Sequence, residues 1–261
     1  MIGIYDSGVG GLSVWRELIA LMPSESYLYV SDGGHCPYGP KPADYIIARA
    51  HAITDFLIKN GADLIVVACN TATAAAIEWL RSHYSIPFIG MEPAIKPAAL
   101  HSKTGVVGVL ATEGTLKGKL YLNTLANFAT DVNVIEKVGT GLVEAVEEGK
   151  INTPGTKALL HRYIDPMIEA GADHIVLGCT HYPFLTDTIK RIVGDKVVIV
   201  NPAPAVAKQT RKIAESIPLR NPDGDHTSTF FSTGPVDILR KIATDIDPSL
   251  SPDNFKTNIY I

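Results

Sequence analysis

Cys69 ends the stretch GADLIVVAC at residues 61–69, and Cys179 ends GADHIVLGC at residues 171–179. The chain has three cysteines in 261 residues, and two of them close nearly the same phrase. Small polar residues follow each one: Asn70 and Thr71 after the first, Thr180 and His181 after the second. A thiolate and a thiol facing one carbon make a base and an acid. If they stand on opposite faces, removing a proton from one side and returning one to the other inverts that carbon. The reverse reaction needs the same parts with exchanged roles, which is a chemical reason to build a site from two related halves. The neighbouring amide and hydroxyls suit a carboxylate and the enediolate left when an α-proton departs. Such a carbanion is costly, so fixed donors and exclusion of water must supply much of its stabilisation. Asp6 and His181 are the candidate groups for adjusting protonation of the nearer thiol.

The repeat extends upstream of the cysteines. At an offset of 110 (179 − 69), His51–Cys69 matches His161–Cys179 at nine of nineteen positions, where unrelated sequence would give roughly one. A weaker echo links Ile2-Gly3-Ile4 to Val107-Gly108-Val109, with Ser7 and Thr112 as the hydroxyl residues that follow. Short apolar runs predict strands at 2–5, 27–31, 64–68, 88–90, 105–110, 132–136, 174–177 and 197–200. Helical spacing between them predicts helices at 12–22, 43–60, 73–83, 115–128, 155–170 and 187–193, and a short acidic one over Leu142–Glu148. Apolar strands alternating with helices imply parallel sheet covered on both faces. Gly61 and Gly171 stand where helices should stop.

Ligands of open α/β sheets sit beyond the carboxyl ends of the strands. That rule gathers three loops: Asp6-Ser7-Gly8-Val9-Gly10-Gly11, Cys69-Asn70-Thr71 and Cys179-Thr180-His181. A cysteine between a strand and a helix also lies near the positive end of the helix dipole, which predicts a lowered thiol pKa.

Composition excludes several classes. A net charge of −4 and a pI near 6.1 argue against a binder of phosphate backbones. No apolar run approaches the ~18 residues of a membrane span, and Met1–Tyr5 lacks the form of a signal peptide. Three cysteines make no disulfide framework, so a reducing, cytoplasmic setting is expected.

Each signal has a plainer reading. A lone cysteine after a buried strand is by default a small inert hydrophobe. The repeat and the flanking polar pairs remove Cys69 and Cys179 from that default, and Cys36, without a repeat partner, keeps it. The glycine-rich loop fails as a dinucleotide loop, since position 13 is Ser13 rather than glycine. It suits a tight turn that brings N–H groups to a small anion, with Asp6 as a helix cap the alternative. Cys179 with His181 gives too few ligands for structural zinc, so no metal is expected. A Cys–His hydrolase pair would leave Cys69 unexplained. His51 and His161 are expected to serve packing.

At these motifs the sequence resembles the glutamate racemases. The resemblance rests on Asp6-Ser7-Gly8-Val9-Gly10-Gly11-Leu12, Cys36-Pro37-Tyr38-Gly39, Val67–Thr73 and Leu177–Pro183. It runs from Ile2 to about Ala207 and fades in the tail. It implies a cofactor-independent enzyme that makes D-glutamate for peptidoglycan, with Cys69 and Cys179 as the acid/base thiols. It also implies that Asp6 and His181 assist them, with Glu147 as a further helper and Glu144 the other candidate. Substrate would be held by Asp6, Ser7, Tyr38, Gly39, Asn70, Thr71, Thr180 and His181. Repeat and resemblance together imply two pseudo-symmetric parallel-sheet α/β domains of flavodoxin-like type, with the site in the cleft between them. The first would span 1–93 plus 205–261 and the second 94–204. A homodimer is implied, and DNA gyrase is a conceivable protein partner by family analogy alone.

Three stretches depart from the family pattern: Ser31-Asp32-Gly33-Gly34-His35, Val138-Gly139-Thr140 and Asn201-Pro202. The first two are expected to alter cleft shape or the fit to the substrate side chain. A racemase acting on aspartate, and a binding module that kept the fold without the chemistry, are the rival readings.

Overall fold

The computed structural model describes residues 1–219, 226–257, 259 and 261. In chain order the first half holds β1 (Ile2–Asp6), α1 (Leu12–Leu21), β2 (Tyr27–Ser31), α2 (Ala43–Lys59), β3 (Leu64–Val67), α3 (Asn70–His83), β4 (Phe88–Gly90) and α4 (Ile95–His101). Then come β5 (Val106–Ala111), α5 (Glu113–Leu116), α6 (Lys119–Phe128), β6 (Asn133–Val138), α7 (Leu142–Glu147), α8 (Pro154–Glu169), β7 (His174–Gly178), α9 (Thr186–Val193) and β8 (Val198–Val200). The tail adds α10 (Ala203–Ala214), β9 (Ser228–Ser232), α11 (Asp237–Ile246) and β10 (Phe255–Lys256).

The strands form two sheets, ordered β10-β9-β2-β1-β3-β4 and β6-β5-β7-β8, and every pairing is parallel. β1, β3 and β7 are buried along their whole length, as strands covered by helices on both faces must be. The order β2-β1-β3-β4 reappears as β6-β5-β7-β8, so the duplication covers four strands rather than one helix–strand unit. No helix among the described residues is long and apolar enough to cross a membrane.

Equivalent positions do equivalent work in the two copies. Gly61 and Gly171 take left-handed φ of +97° and +89°. Gly61 N–H donates to Ile58 O and Ala62 N–H to Leu57 O, each at 3.0 Å. Gly171 donates to Ile168 O at 2.9 Å and Ala172 to Met167 O at 3.0 Å, the same helix-ending turn. Gly3 pairs with Ile65, and Gly108 with Ile175. A Cβ on Gly3 would lie 3.3 Å from Leu57, and one on Gly108 would lie 2.5 Å from Met167. The echo at Ile2-Gly3-Ile4 is thus a packing requirement: a strand pressed under the helix before its neighbour.

The expected elements differ in a few places. The helix predicted at 115–128 breaks into α5 and α6 at Gly118, where a Cβ would meet Ala74 Cβ at 2.7 Å. α3 begins at Asn70, before the expected Thr73, because Cys69 caps it. No α-helix follows Cys179 directly; Tyr182–Leu185 make a single 3₁₀ turn containing Pro183 before α9 starts. The tail's β9 lies beside β2, and α10 packs on α1.

Candidate active site

The carboxyl ends of β1 and β3 carry Asp6-Ser7 and Cys69, and those of β5 and β7 carry Thr112 and Cys179. In each sheet these are the two strands flanking the point where strand order reverses, where such folds bind ligands. The four ends share one cavity. Cys69 and Cys179 both line it, with Ser7, Tyr38, Gly39, Asn70, Thr71, Thr180 and His181. Pro37, Thr112 and Val143 complete the wall. Its volume is about 10 Å³, room for roughly one water. The cysteines are 5% and 6% exposed, so the cleft is closed over them.

Cys69 precedes α3, and its sulfur accepts the Ala72 N–H at 3.4 Å. Its thiol lies 3.8 Å from Ser7 Oγ. The helix-dipole expectation of a lowered pKa fails here. Burial pushes the thiol up and the nearby Asp6 charge adds to it, outweighing the Ala72 N–H and the Ser7 hydroxyl. Cys179 has different company: its sulfur lies 3.7 Å from His181 Nδ1.

His181 Nε2 sits 2.6 Å from Glu147 Oε1, and the same oxygen accepts Val9 N–H at 2.8 Å. Burial alone would lower the imidazole's pKa, but bonds to Cys179, Cys36 and Glu147 raise it well above the ordinary value. Burial likewise works against the Glu147 carboxylate, yet the His181 bond and charge and the Val9 N–H hold its pKa down. Of the two acidic candidates on α7, Glu147 is therefore the one that reaches His181. Asp6 is fully buried, and burial drives its pKa up. Its oxygens accept Gly8 N–H at 3.0 Å and the Thr180 hydroxyl at 3.1 Å, tying the two sheets together. The backbone N–H of Gly11, the residue before α1, also bonds this carboxylate and works against the rise.

The glycine-rich loop turns its N–H groups onto the protein's own carboxylates. Its N–H groups at Gly8 and Val9 are taken by Asp6 and Glu147. A Cβ on Gly8 would fall 1.8 Å from Glu147 Oε1, and one on Gly10 would fall 2.3 Å from His181 Nδ1. The glycines make room for side chains arriving from the other sheet.

Asn70 lies at the start of α3 with both side-chain amide atoms buried and unpartnered among the described residues, an arrangement that suits a ligand's polar group. Thr71 Oγ1 meets Thr112 Oγ1 at 2.8 Å across the cleft. Thr112 escaped the sequence reading as a site residue, although its place opposite Ser7 in the repeat was the available signal. The Tyr38 hydroxyl is not free for a ligand: it donates to Asp32 at 2.5 Å, a carboxylate also held by Arg49 and Thr233.

Cys36, expected to be a small inert hydrophobe, packs half-buried against the core beside Glu147 and His181, and burial pushes its thiol up to about 11. Other expectations need correction. His51 and His161 lie outside the core: their side chains are 52% and 44% exposed and pair with Asp55 and Asp165 one turn on, although the His51 ring also packs against Trp79 and Tyr84. Gly33 and Gly34 do not shape the cavity: they allow the tail to approach, since a Cβ on Gly34 would lie 2.7 Å from Thr233 O. Asn201 caps α10 through its Oδ1, which accepts Ala203 N–H at 3.0 Å. Val138, Gly139 and Thr140 line a neighbouring hollow of about 180 Å³ with Glu144.

Comparison with known proteins agrees with this geometry. Residues 13–210 match the Asp/Glu/Hydantoin racemase family. The glutamate racemase of Herpetosiphon aurantiacus is 48% identical over 232 residues, covering 89% of this chain and 91% of that one. A glutamate racemase from Bacillus anthracis superposes with a TM-score of 0.85 at 31% identity, over 100% of this chain and 97% of the other. The Escherichia coli glutamate racemase, solved with L-glutamate and the activator UDP-MurNAc-Ala, gives 0.85 at 30% identity, with 94% of each chain covered. The chain belongs to the aspartate/glutamate racemase family, on its glutamate racemase branch, and is an amino-acid racemase.

Proposed function

We propose that this chain interconverts L- and D-glutamate by proton transfer between two thiols, without a cofactor, and so supplies D-glutamate for peptidoglycan. The observation that carries the reading is that Cys69 and Cys179, from two different sheets, lie on one closed cavity. One cysteine as thiolate takes the α-proton, and the other as thiol delivers a proton to the opposite face. Asn70, Thr71, Ser7 and Thr180 hold the α-carboxylate and the enediolate. Tyr38 and Gly39 wall the side-chain end. Asp6 serves the Cys69 side, while His181, backed by Glu147, serves Cys179. Asp6 ends β1 and Ser7 follows it, so the loop that packs against His181 also holds substrate.

The reading includes a division into one unit of 1–93 plus 205–261 and another of 94–204, a homodimer, and a cytoplasmic setting. Residues 220–225, 258 and 260 of the first unit lie outside the described residues. Glutamate is preferred over aspartate because the relatives named above are glutamate racemases at 30% identity or more across most of the chain.

The test is circular dichroism of L-glutamate in D₂O with purified protein, beside Cys69→Ser and Cys179→Ser. Decay of the signal with deuterium entering the α-carbon, lost in each variant, is the expected result. A folded wild type that leaves L-glutamate untouched and racemises L-aspartate would overturn the substrate assignment.

A further inference from the structure

Cys36 is a nucleophilic group that the proton-transfer scheme does not use. It belongs to the one group of three metal-capable donors found among the described residues: Cys36 Sγ, Glu147 Oε and a His181 ring nitrogen, all within 4.8 Å of one another. We propose that this cluster is an inhibitory site for a thiophilic divalent cation, with zinc as the fitting ion.

Thiolate, imidazole and carboxylate are the ligand types that zinc takes, and three protein ligands with an open fourth position is a common zinc arrangement. Bonds of ~2.0–2.3 Å place neighbouring donors roughly 3.3–3.7 Å apart in a tetrahedron. His181 Nε2 and Glu147 Oε1, now 2.6 Å apart, must separate by about 1 Å. The sulfur, within 4.8 Å of both, must settle at roughly 3.3–3.7 Å from each. Zinc thus takes the place of the proton that Glu147 and His181 share, and the Cys36 thiol loses its proton on binding.

The surroundings already supply outer support. Val9 N–H donates to Glu147 at 2.8 Å, and Cys179 Sγ stands at the other ring nitrogen of His181, 3.7 Å away. Such outer contacts orient metal ligands. Gly8 presents bare backbone to both the carboxylate and the sulfur: a Cβ there would fall 1.8 Å from Glu147 Oε1 and 3.1 Å from Cys36 Sγ. The Glu147 side chain is 22% exposed and Cys36 is only half-buried, which leaves a route from solvent.

Inhibition follows from what zinc removes. With Nε2 on the metal, the ring's remaining proton is fixed at Nδ1, facing Cys179. His181 can then no longer exchange a proton with Glu147 while Cys179 changes state. This consequence rests on the racemase reading above; the binding itself does not.

The experiment is titration calorimetry with zinc chloride on the reduced, metal-free protein, beside Cys36→Ser, Cys36→Ala, Glu147→Gln and Cys69→Ser. The expected result is one equivalent bound by wild type and by Cys69→Ser. Affinity should fall at least about 10–100-fold in both Cys36 variants, as loss of even an outer-shell partner can cause. Cobalt(II) should give a thiolate-to-metal charge-transfer band that disappears with Cys36→Ser. In parallel, zinc should inhibit racemisation reversibly, with chelator restoring the rate, and each variant's inhibition is scored against its own zinc-free rate. Wild type that binds no zinc, or Cys36 variants that bind it as wild type does, would overturn the site. So would loss of binding in Cys69→Ser with retention in Cys36→Ser, since that places the ion between the two cavity thiols. Zinc binding by a protein that racemises nothing would leave the site standing and remove the proposed function instead.

Discussion

Cys69 and Cys179 occupy equivalent strand ends, yet one caps a helix and the other faces an imidazole. The Cys69 sulfur has the Ala72 N–H and a serine hydroxyl; the Cys179 sulfur has His181, which Glu147 backs in turn. Asp6 has Ala111 as its counterpart in the second copy, so the buried carboxylate exists on one side alone. The two copies share the scaffold and the thiols but surround them differently. Burial and a buried carboxylate dominate around one sulfur, and a charge-paired imidazole faces the other.

The harshest test of this comparison removes either sulfur. Cys69→Ser and Cys179→Ser should each lower racemisation by about 10²–10⁴-fold, the usual worth of a general acid or base. The change is measured as loss of optical activity of L-glutamate. Equal losses would show that neither half-site works alone.

The asymmetry itself is sharpened by His181→Asn. L- and D-glutamate have equal free energies, so kcat/KM must stay equal in the two directions in every variant. Both should fall by roughly 10–100-fold, below the full worth of an acid or base. The difference should surface in isotope effects. If His181 serves Cys179, proton transfer at that sulfur becomes rate-limiting. The enantiomer that gives its α-proton to Cys179 should then show a large α-deuterium effect, and the other a solvent effect. Equal α-deuterium effects from both enantiomers would break the distinction between the half-sites.

Gly8→Ala tests the contact between the sheets. Its methyl would occupy the place of the Glu147 carboxylate, and overpacking of this kind costs about 1–3 kcal/mol. Urea denaturation should register that loss together with reduced activity. An unchanged midpoint and rate would mean that Glu147 moves away at no cost.

A gentler probe is pH. His181 is held high and Glu147 low by their pairing. The histidine's contribution is complete below its unfolded value near 6.5 and is lost as pH rises through the raised folded value. The glutamate's is complete above its unfolded value near 4.5 and is lost as pH falls through the lowered folded value. Thermal stability of wild type should therefore exceed that of Glu147→Gln most between about pH 4.5 and 6.5. A gap that widens above that window would contradict the charged pair. At the small end, His51→Ala should change stability by less than about 0.5 kcal/mol and leave racemisation untouched, although His51 is repeated as faithfully as the cysteine.

That contrast bears on what sequence could reveal. The two thiols, the strands beneath them and the helix-ending glycines were legible because the repeat records local geometry: a turn at Gly61 recurs at Gly171 for the same steric reason. The acid cluster was only partly legible, since Glu147 reaches His181 from a helix 34 residues away and no local pattern separates it from Glu144. Cys36 was illegible because its partners arrive from a different sheet. The glycine loop was misread for the same cause: what demands Gly8 and Gly10 is the approach of Glu147 and His181. The tail strand β9 has no counterpart in the repeat, and its half-buried alternation carries a weak signal.

The placement of β9 has a consequence for synthesis. β2 pairs with a strand made 201 residues later, Tyr27 opposite Ser228. The second sheet needs only residues 106–200, so a chain leaving the ribosome can complete it first. The older half must meanwhile keep an unpaired apolar edge, Tyr27 to Val30, waiting for β9. Contacts of such long range are slow to form, and an open strand edge invites pairing with other chains. A ribosome that stalls after Cys179 and before Ser228 would release a molecule with both cysteines present and its first sheet still open to aggregation.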